Sequence, residues 1–457
     1  MNKKVVIGVI FITILVIGSL FFVNFKKKDK SVKISTIAVT VLAKSDSKIT
    51  VQDNKNSIYT FNIKETNVDV GSNIIIEYSG VLNKNREMQT GSTIVDYSIS
   101  PVSQDEDGIP YTYSDDGIFS QYYILAQDKL KSLTLDEKIA QLLLVRYPGD
   151  SAVEELKKYN FAGYVFYEKD FRDKSKDEVK TMINTLQKNS KIPLLTAVDE
   201  EGGKVVRVSS NPKLASEKFK SSSELYKSGG LSLIRKDTID KSKLLNELGL
   251  NLNLAPVIDV TTDENAYMYE RSLGQGVDAT SDYAKTVIEA SKDTGVSYTL
   301  KHFPGYGNNN DTHYNSATDT RTYESLVKND LPPFEAGIEA GAEAILVSHN
   351  IVNSIDKNNP ASLSASVHNL LRNNLGFTGI IMTDDMGMGA VSSIDNKIVK
   401  AILAGNDIIM STNYKEDFNE IKRAVEDGTI SEEQIDKISF RILAWKYYKG
   451  IMFEVYK

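Results

Sequence analysis

From residue 142 onward the chain repeats one pattern: a short apolar run that breaks off at a polar or ionisable residue, followed by a longer stretch with helical character. The runs are LLLVRY (142–147), AGYVFY (162–167), PLLTAVDEEGG (193–203), LNLAPVIDV (252–260), VSYTLKHFPG (296–305), AEAILVSHN (342–350), TGIIMTDDMG (378–387) and NDIIMST (406–412). Runs this short and this apolar are those of strands buried on both faces, as in parallel sheets covered by helices. Most gaps are long enough for a crossover helix, as in YESLVKNDLPPFEAGIEAG and EDFNEIKRAVEDG. Eight such strands alternating with helices predict an α/β fold, a (β/α)8 TIM-like barrel over 120–457, with a doubly wound sheet as the alternative. Thr134-Leu-Asp-Glu137 has the pattern of a capping box and predicts a helix start carrying Ile139, Leu142 and Leu143.

Upstream the character changes. Val5 to Val23 is an uncharged run of 19 residues, long enough to cross a hydrocarbon core as a helix. No convincing A-x-A site follows it, so residues 1–30 are expected to be a retained membrane anchor, with a cleaved signal peptide as the lesser option. Lys26, Lys27, Lys28 and Lys30 outnumber Lys3 and Lys4, which by charge alone would keep the bulk of the chain in the cytoplasm. Long C-terminal domains translocate largely regardless of charge, and a single-pass cell-membrane anchor with the barrel outside is the expectation. Residues 31–101 read as a small all-β domain: five runs rich in Ile, Val, Thr and Tyr, separated by turns such as DNKN (53–56) and VGSN (70–73). No ionisable cluster in it points to chemistry, and it reads as a spacer or binding module. Residues 102–119, acidic and without periodicity, read as a linker.

Composition removes several classes of function. The net charge is −7 and no basic stripe stands outside the N-terminal flank, so no nucleic-acid partner is expected. With no cysteine there are no disulfides, thiolate zinc sites or cysteine nucleophiles. No glycine-rich nucleotide motif appears, and no cofactor is expected.

In a barrel the active site lies at the C-terminal ends of the strands. Here those ends carry Asp199-Glu200-Glu201, Asp259, Lys301-His302, His349-Asn350 and Asp384-Asp385. One such residue means little, because Asp and His often cap helices; five converging sets predict an active-site rim. Adjacent residues on a strand face opposite ways, so one of Asp384 and Asp385 reaches the mouth while the other supports a neighbouring loop. A carboxylate there is open between nucleophile, metal ligand and cap. A metal site would recruit His302, His313 and His349, but their spacing is not a compact ligand motif, and nearby Lys and Arg disfavour a divalent cation; no metal is expected.

The residues LTLDEKIAQLLLV, VDEEGGKVVR, LNLAPVIDV, ERSLG, KHFPGYG with DTH, PASLS (360–364) and GIIMTDDMGMGAV stand in order along some 340 residues. This stretch, 121–457, resembles the family 3 glycoside hydrolases, in particular the single-barrel bacterial β-N-acetylglucosaminidase branch. The resemblance implies that Asp384, in Thr383-Asp384, is a catalytic nucleophile. It implies that His313, paired with Asp311, is the general acid/base, and that Asp199, Arg271, Lys301 and His302 bind the sugar; His349 is counted with them from its place on the rim. It further implies a retaining exo-glycosidase acting on β-linked N-acetylglucosamine of cell-wall glycans. Many relatives carry His where Tyr306 stands, the loop from Gly307 to Asp311 is about one residue shorter and Asn-rich, and Lys204 replaces a common Arg.

That assignment gives KHFPGYGNNNDTHYN (301–315) its sense. A retaining glycosidase needs a carboxylate to attack the anomeric carbon and an acid to protonate the leaving oxygen. A histidine serves as that acid when a neighbouring carboxylate orients it and stabilises its cation. Asp311-Thr312-His313 offers both on a loop made permissive by Gly305, Gly307 and Asn308 to Asn310. The rival route, in which the substrate's acetamido group attacks with Asp384-Asp385 assisting, leaves Asp311 and His313 without a task. A β-glucosidase or broader β-hexosaminidase, a phosphorylase variant, and a silent glycan-binding barrel remain alternatives.

Overall fold

The computed structural model describes residues 34–45, 48–53, 58–62, 73–79, 93–99, 113, 115, 117–307, 309, 311–312, 314 and 316–453. The expected anchor over 5–23 and the loop residue His313 lie outside the described residues. Among the described residues no helix is long and apolar enough to cross a membrane. The chain divides into two compact units.

The N-terminal unit is an antiparallel sheet of β1 (Ile34–Ser45), β2 (Lys48–Asp53), β3 (Ile58–Asn62), β4 (Asn73–Ser79) and β5 (Thr93–Ile99), in the order β3-β2-β1-β4-β5. Its strands are the five runs expected from the sequence. Period-2 alternation in β2 and β3 buries Ile49, Val51, Tyr59 and Phe61, which cluster with Val39, Val41, Ile74 and Ile76. A bulge between Val41 and Ala43 interrupts the β1–β2 register.

The second unit is a nearly closed eight-stranded parallel barrel. Its strands are β6 (Leu143–Arg146), β7 (Gly163–Phe166), β8 (Leu195–Val198), β9 (Leu252–Asn253), β10 (Ser297–Phe303), β12 (Ala344–Val347), β14 (Ile380–Thr383) and β15 (Ile409–Ser411). Two short strands, β11 (Thr318–Asp319) and β13 (Ile351–Val352), pair with each other outside the ring. β15 pairs with β6, and between β14 and β15 a bridge at Met382 and Ile408 and the Thr383 N–H to Ile408 C=O bond (3.0 Å) bring the ends together. The strands Gly163–Phe166, Leu195–Val198, Ala344–Val347 and Ile380–Thr383 are buried at every position, which is why their sequences do not alternate. At Gly163 a Cβ would stand 1.9 Å from the Leu195 carbonyl oxygen, so the β7–β8 approach demands glycine.

One expected strand is shorter than its apolar run. LNLAPVIDV contributes only Leu252–Asn253 as a regular strand. The segment still tracks β10: the Pro256 carbonyl accepts the Lys301 N–H (3.2 Å) and the Ile258 N–H reaches the Lys301 carbonyl (2.8 Å), which carries Asp259 to the rim. The capping box at Thr134 and Glu137 is formed and opens the helix Leu135–Gln141. The described end of the expected linker lies against the barrel's own helices, with Tyr113 at 5.4 Å from Phe440 and Phe119 buried.

Candidate active site

The strand ends converge on a cavity of about 530 Å³ whose lining includes Asp199, Glu201, Arg271, Lys301, His302 and Asp384. Of the three consecutive acids after β8, Glu200 is structural: buried, it accepts the N–H groups of Arg207 (2.7 Å), Val208 (2.7 Å) and Ser209 (3.1 Å) and so folds the following loop. That fold turns Glu201 toward the cavity. Gly202 (φ +103°) permits the turn, since a Cβ there would meet the Lys220 carbonyl oxygen at 2.2 Å.

Glu201 is the hinge of a four-charge cluster. Arg271 grips it with two bonds, Nε at 3.0 Å and Nη2 at 2.7 Å, and the Lys301 ammonium sits 2.7 Å from Glu201 and 2.8 Å from Asp199. Two cations thus face two carboxylates, the arrangement that lets charge persist where water is scarce. Burial opposes ionisation of Glu201, and Arg271 and Lys301 outweigh it, holding the carboxyl well below its usual range. Burial likewise opposes the charge on Lys301, but Asp199 and Glu201 leave its ammonium stabilised. Behind the cluster the buried Lys241 donates to the Glu201 carbonyl (3.1 Å) and pairs with Asp237 at 3.0 Å.

His302 lines the same cavity. Its Nδ1 meets Asp259 Oδ2 at 2.7 Å, and both residues are buried. The carboxylate fixes the ring and leaves Nε2 as the polar edge that Asp259 does not engage. Asp384 follows β14, and its Oδ1 accepts the Asp385 N–H at 2.8 Å. Burial pushes the Asp384 carboxyl up; the His349 and His302 imidazoles, the Asp385 N–H and Lys301 overcome it, so it lies below its ordinary value and is ionised at neutral pH. Asp385 lines the same cavity with both oxygens held: Oδ2 accepts from the Thr412 hydroxyl (2.7 Å) and Oδ1 from the Gly387 N–H (2.8 Å).

His349 is a correction. Expected among the sugar ligands, it is fully buried: Nδ1 lies 2.7 Å from the Ser362 hydroxyl, and Nε2 lies 3.1 Å from the Asp385 carbonyl oxygen, which only an N–H can satisfy. A fully buried ring with both nitrogens engaged has no edge to offer a ligand. Burial pushes His349 down against the pull of the Asp384 carboxylate, and its hydrogen bond to the Asp385 carbonyl holds the Asp384–Asp385 turn. Of the loop expected to carry the acid/base pair, Asp311 and Thr312 are among the described residues. The Tyr267 hydroxyl is pushed up by burial, against Arg271, and further by the Asp311 carboxylate beside it.

The sequence reading missed part of the lining. Arg146 follows directly on the apolar core of β6, Tyr167 follows β7, and the Arg146 guanidinium lies 4.5 Å over the Tyr167 ring. The rule that selected Asp199 selects both when applied to the first two strands. Glu201 stands three residues past the end of its strand at Val198, and only the Glu200 staple shows which way it faces. Among the described residues no group of three or more His, Asp or Glu is placed to hold a metal ion.

Residues 134–445 match the model of the glycosyl hydrolase family 3 N-terminal domain. Over 268 residues the chain is 30% identical to the beta-hexosaminidase LpqI of Mycobacterium tuberculosis, covering 56% of this chain and 68% of that one. Over 257 residues it is 32% identical to a beta-hexosaminidase of Xylella fastidiosa, covering 54% and 75%. A solved family 3 beta-N-acetylglucosaminidase from Paenibacillus sp. is similar with a TM-score of 0.66 and 29% identity, over 70% of this chain and 63% of that one, less than two thirds of its length.

Proposed function

We propose, from the premise that this chain belongs to glycosyl hydrolase family 3, that its barrel is a retaining exo-β-N-acetylglucosaminidase in which Asp384 is the nucleophile. The observation that carries the reading is Asp384 itself: a half-buried, ionised carboxylate at a strand end, in one cavity with the charge-balanced Asp199–Glu201–Arg271–Lys301 cluster. The cluster and His302 present fixed donors and acceptors for sugar hydroxyls, oriented before substrate arrives. Asp384 then attacks the anomeric carbon. The glycosidic C–O bond breaks, and the leaving oxygen takes a proton from His313, whose cation Asp311 stabilises. In the second step the same imidazole removes a proton from water, the water oxygen attacks the anomeric carbon, and Asp384 leaves with configuration retained.

The acetamido-assisted route is the weaker reading. It would use Asp385 to orient the acetamido group, yet both Asp385 oxygens are held by Thr412 and Gly387. The relatives that bear the hexosaminidase name favour an acetamido sugar over plain glucose. Cell-wall glycan as the source of that sugar, with the chain anchored in the membrane and the barrel outside, completes the proposal. The test is hydrolysis of aryl β-N-acetylglucosaminide against aryl β-glucoside, with Asp384→Asn in parallel. Preference for the acetamido sugar, abolished by the substitution, is the expected result; turnover of neither sugar favours a glycan-binding barrel.

A further inference from the structure

The loop that carries Asp311 and His313 is rich in Gly and Asn, yet two of its residues are fixed. Tyr306 and Thr312 are 2% and 1% exposed. The Tyr306 hydroxyl accepts the Thr312 N–H at 2.9 Å and lies 2.9 Å from Thr312 Oγ1. On its other side the Thr312 carbonyl accepts the N–H of Ala390 (3.2 Å), in the short helix Gly389–Ser392 that follows Asp384 and Asp385. Thr312, the residue between Asp311 and His313, therefore has both backbone polar groups engaged.

Tyr306 is itself tied to the sugar-binding wall. Its N–H donates to Asp259 Oδ1 at 2.8 Å, the carboxylate whose other oxygen orients His302. Its carbonyl accepts from Asn350 (3.2 Å) and Asn309 (2.8 Å). Its ring meets His302 edge-on with centroids 5.5 Å apart, and lies 5.8 Å from Tyr267, the neighbour of Asp311.

We propose that Tyr306 is a positioning residue whose hydroxyl clamps Thr312 and so registers the acid/base pair against His302 and Asp384. The proposal rests on the retaining-glycosidase reading. An acid must stand within hydrogen-bond reach of the glycosidic oxygen, and a displacement of about 1 Å costs on the order of 10²-fold in rate. Such accuracy requires a contact that fixes the loop backbone. The phenol supplies it from a residue anchored at Asp259. Replacing Tyr306 by Phe keeps the packed ring and leaves the buried Thr312 N–H without an acceptor, which drives the loop to another arrangement.

The experiment compares the full chain with Tyr306→Phe, Thr312→Val and the double variant on aryl β-N-acetylglucosaminides whose phenols range from dinitrophenol to phenol. kcat/KM reports glycosylation alone, and only poor leaving groups need the acid in that step. Tyr306→Phe is expected to lower kcat/KM by about 10- to 100-fold for the phenyl glycoside and by less than about threefold for the dinitrophenyl glycoside. The losses in the double variant are expected to be less than additive. A uniform loss across leaving groups, or no loss, overturns the clamp, because a merely structural role does not distinguish them. Melting curves establish that each variant is folded, and Thr312→Val carries the test if Tyr306→Phe is not. Asp384→Asn separates the two levels: wild-type turnover there refutes the Asp384 nucleophile on which the retaining reading rests, whereas an inactive Asp384→Asn with an unchanged leaving-group profile in Tyr306→Phe refutes the clamp alone.

Discussion

Replacing Glu201 by Gln removes one charge from the centre of the four-charge cluster while keeping its volume. In the native site Glu201 accepts three charge-assisted bonds, two from Arg271 and one from Lys301, and its side chain is only 4% exposed. Lys301 keeps Asp199 at 2.8 Å. Among the described residues Arg271 forms its ion pair with Glu201 alone, so the substitution leaves a guanidinium only 15% exposed facing an amide. Breaking a buried pair by removing one partner costs about 3–5 kcal/mol, and because Lys301 retains a partner the lower end, about 3 kcal/mol, applies here. For a large domain roughly 2 °C of melting temperature is lost per kcal/mol, so Glu201→Gln is expected to melt roughly 6 °C below the wild type. The pH dependence has a definite sign. The folded carboxyl lies below its ordinary value of 4.5, so its contribution is complete above that pH and is lost as pH falls below it toward the folded value. The gap between wild type and variant should therefore be full at pH 7 and narrow on acidification. Circular-dichroism melting across that range is the assay, with Glu270→Gln as the control, because its pair with Lys204 is about 60% exposed on both sides. A Glu201→Gln melt within 1 °C of the control's at pH 7 would refute the view that buried charge balance organises this site.

Asp311→Asn and His313→Ala are each expected to lower kcat/KM for a poor leaving group by about 10²- to 10⁴-fold, with azide restoring turnover of an activated substrate. Equal losses on both substrates would contradict the acid/base assignment. The folded pKa of His349 lies below the ordinary 6.5, so below that pH the native state binds fewer protons than the unfolded state and loses stability. His349→Gln, which cannot titrate, should melt at a temperature that falls less steeply with acidification; parallel slopes would argue against a buried neutral imidazole.

Most of the barrel could be read from the chain because its strands are buried on both faces and show as unbroken apolar runs. The run 252–260 marks the limit of that reading: only Leu252–Asn253 forms regular strand, and the rest follows its neighbour through isolated backbone bonds. The rim was legible for the same reason the barrel was, since a polar residue after a buried strand has few places to go but the mouth. Strand geometry alone said that Asp384 and Asp385 face different ways, and the choice of Asp384 came from the family resemblance. Orientation beyond the strand end did not. Nothing in the sequence says that Glu200 folds back onto three N–H groups while Glu201 faces two cations, because that depends on a loop returning in space. His349 looked like a ligand by position, and its burial between Ser362 and the Asp385 carbonyl depends on residues 13 and 36 positions away. The same is true of Tyr306, whose hydroxyl meets Thr312 only once Asp259 has fixed the start of the loop.

The most direct test of the account is to incubate the protein with a 5-fluoro β-N-acetylglucosaminyl donor, which slows breakdown of a covalent intermediate, and to map the adduct by peptide mass spectrometry. The account predicts one glycosyl group on the peptide containing Ile380–Thr383 and Asp384, with fragmentation assigning it to Asp384. Steady turnover with no adduct, or an adduct on any other residue, would contradict it.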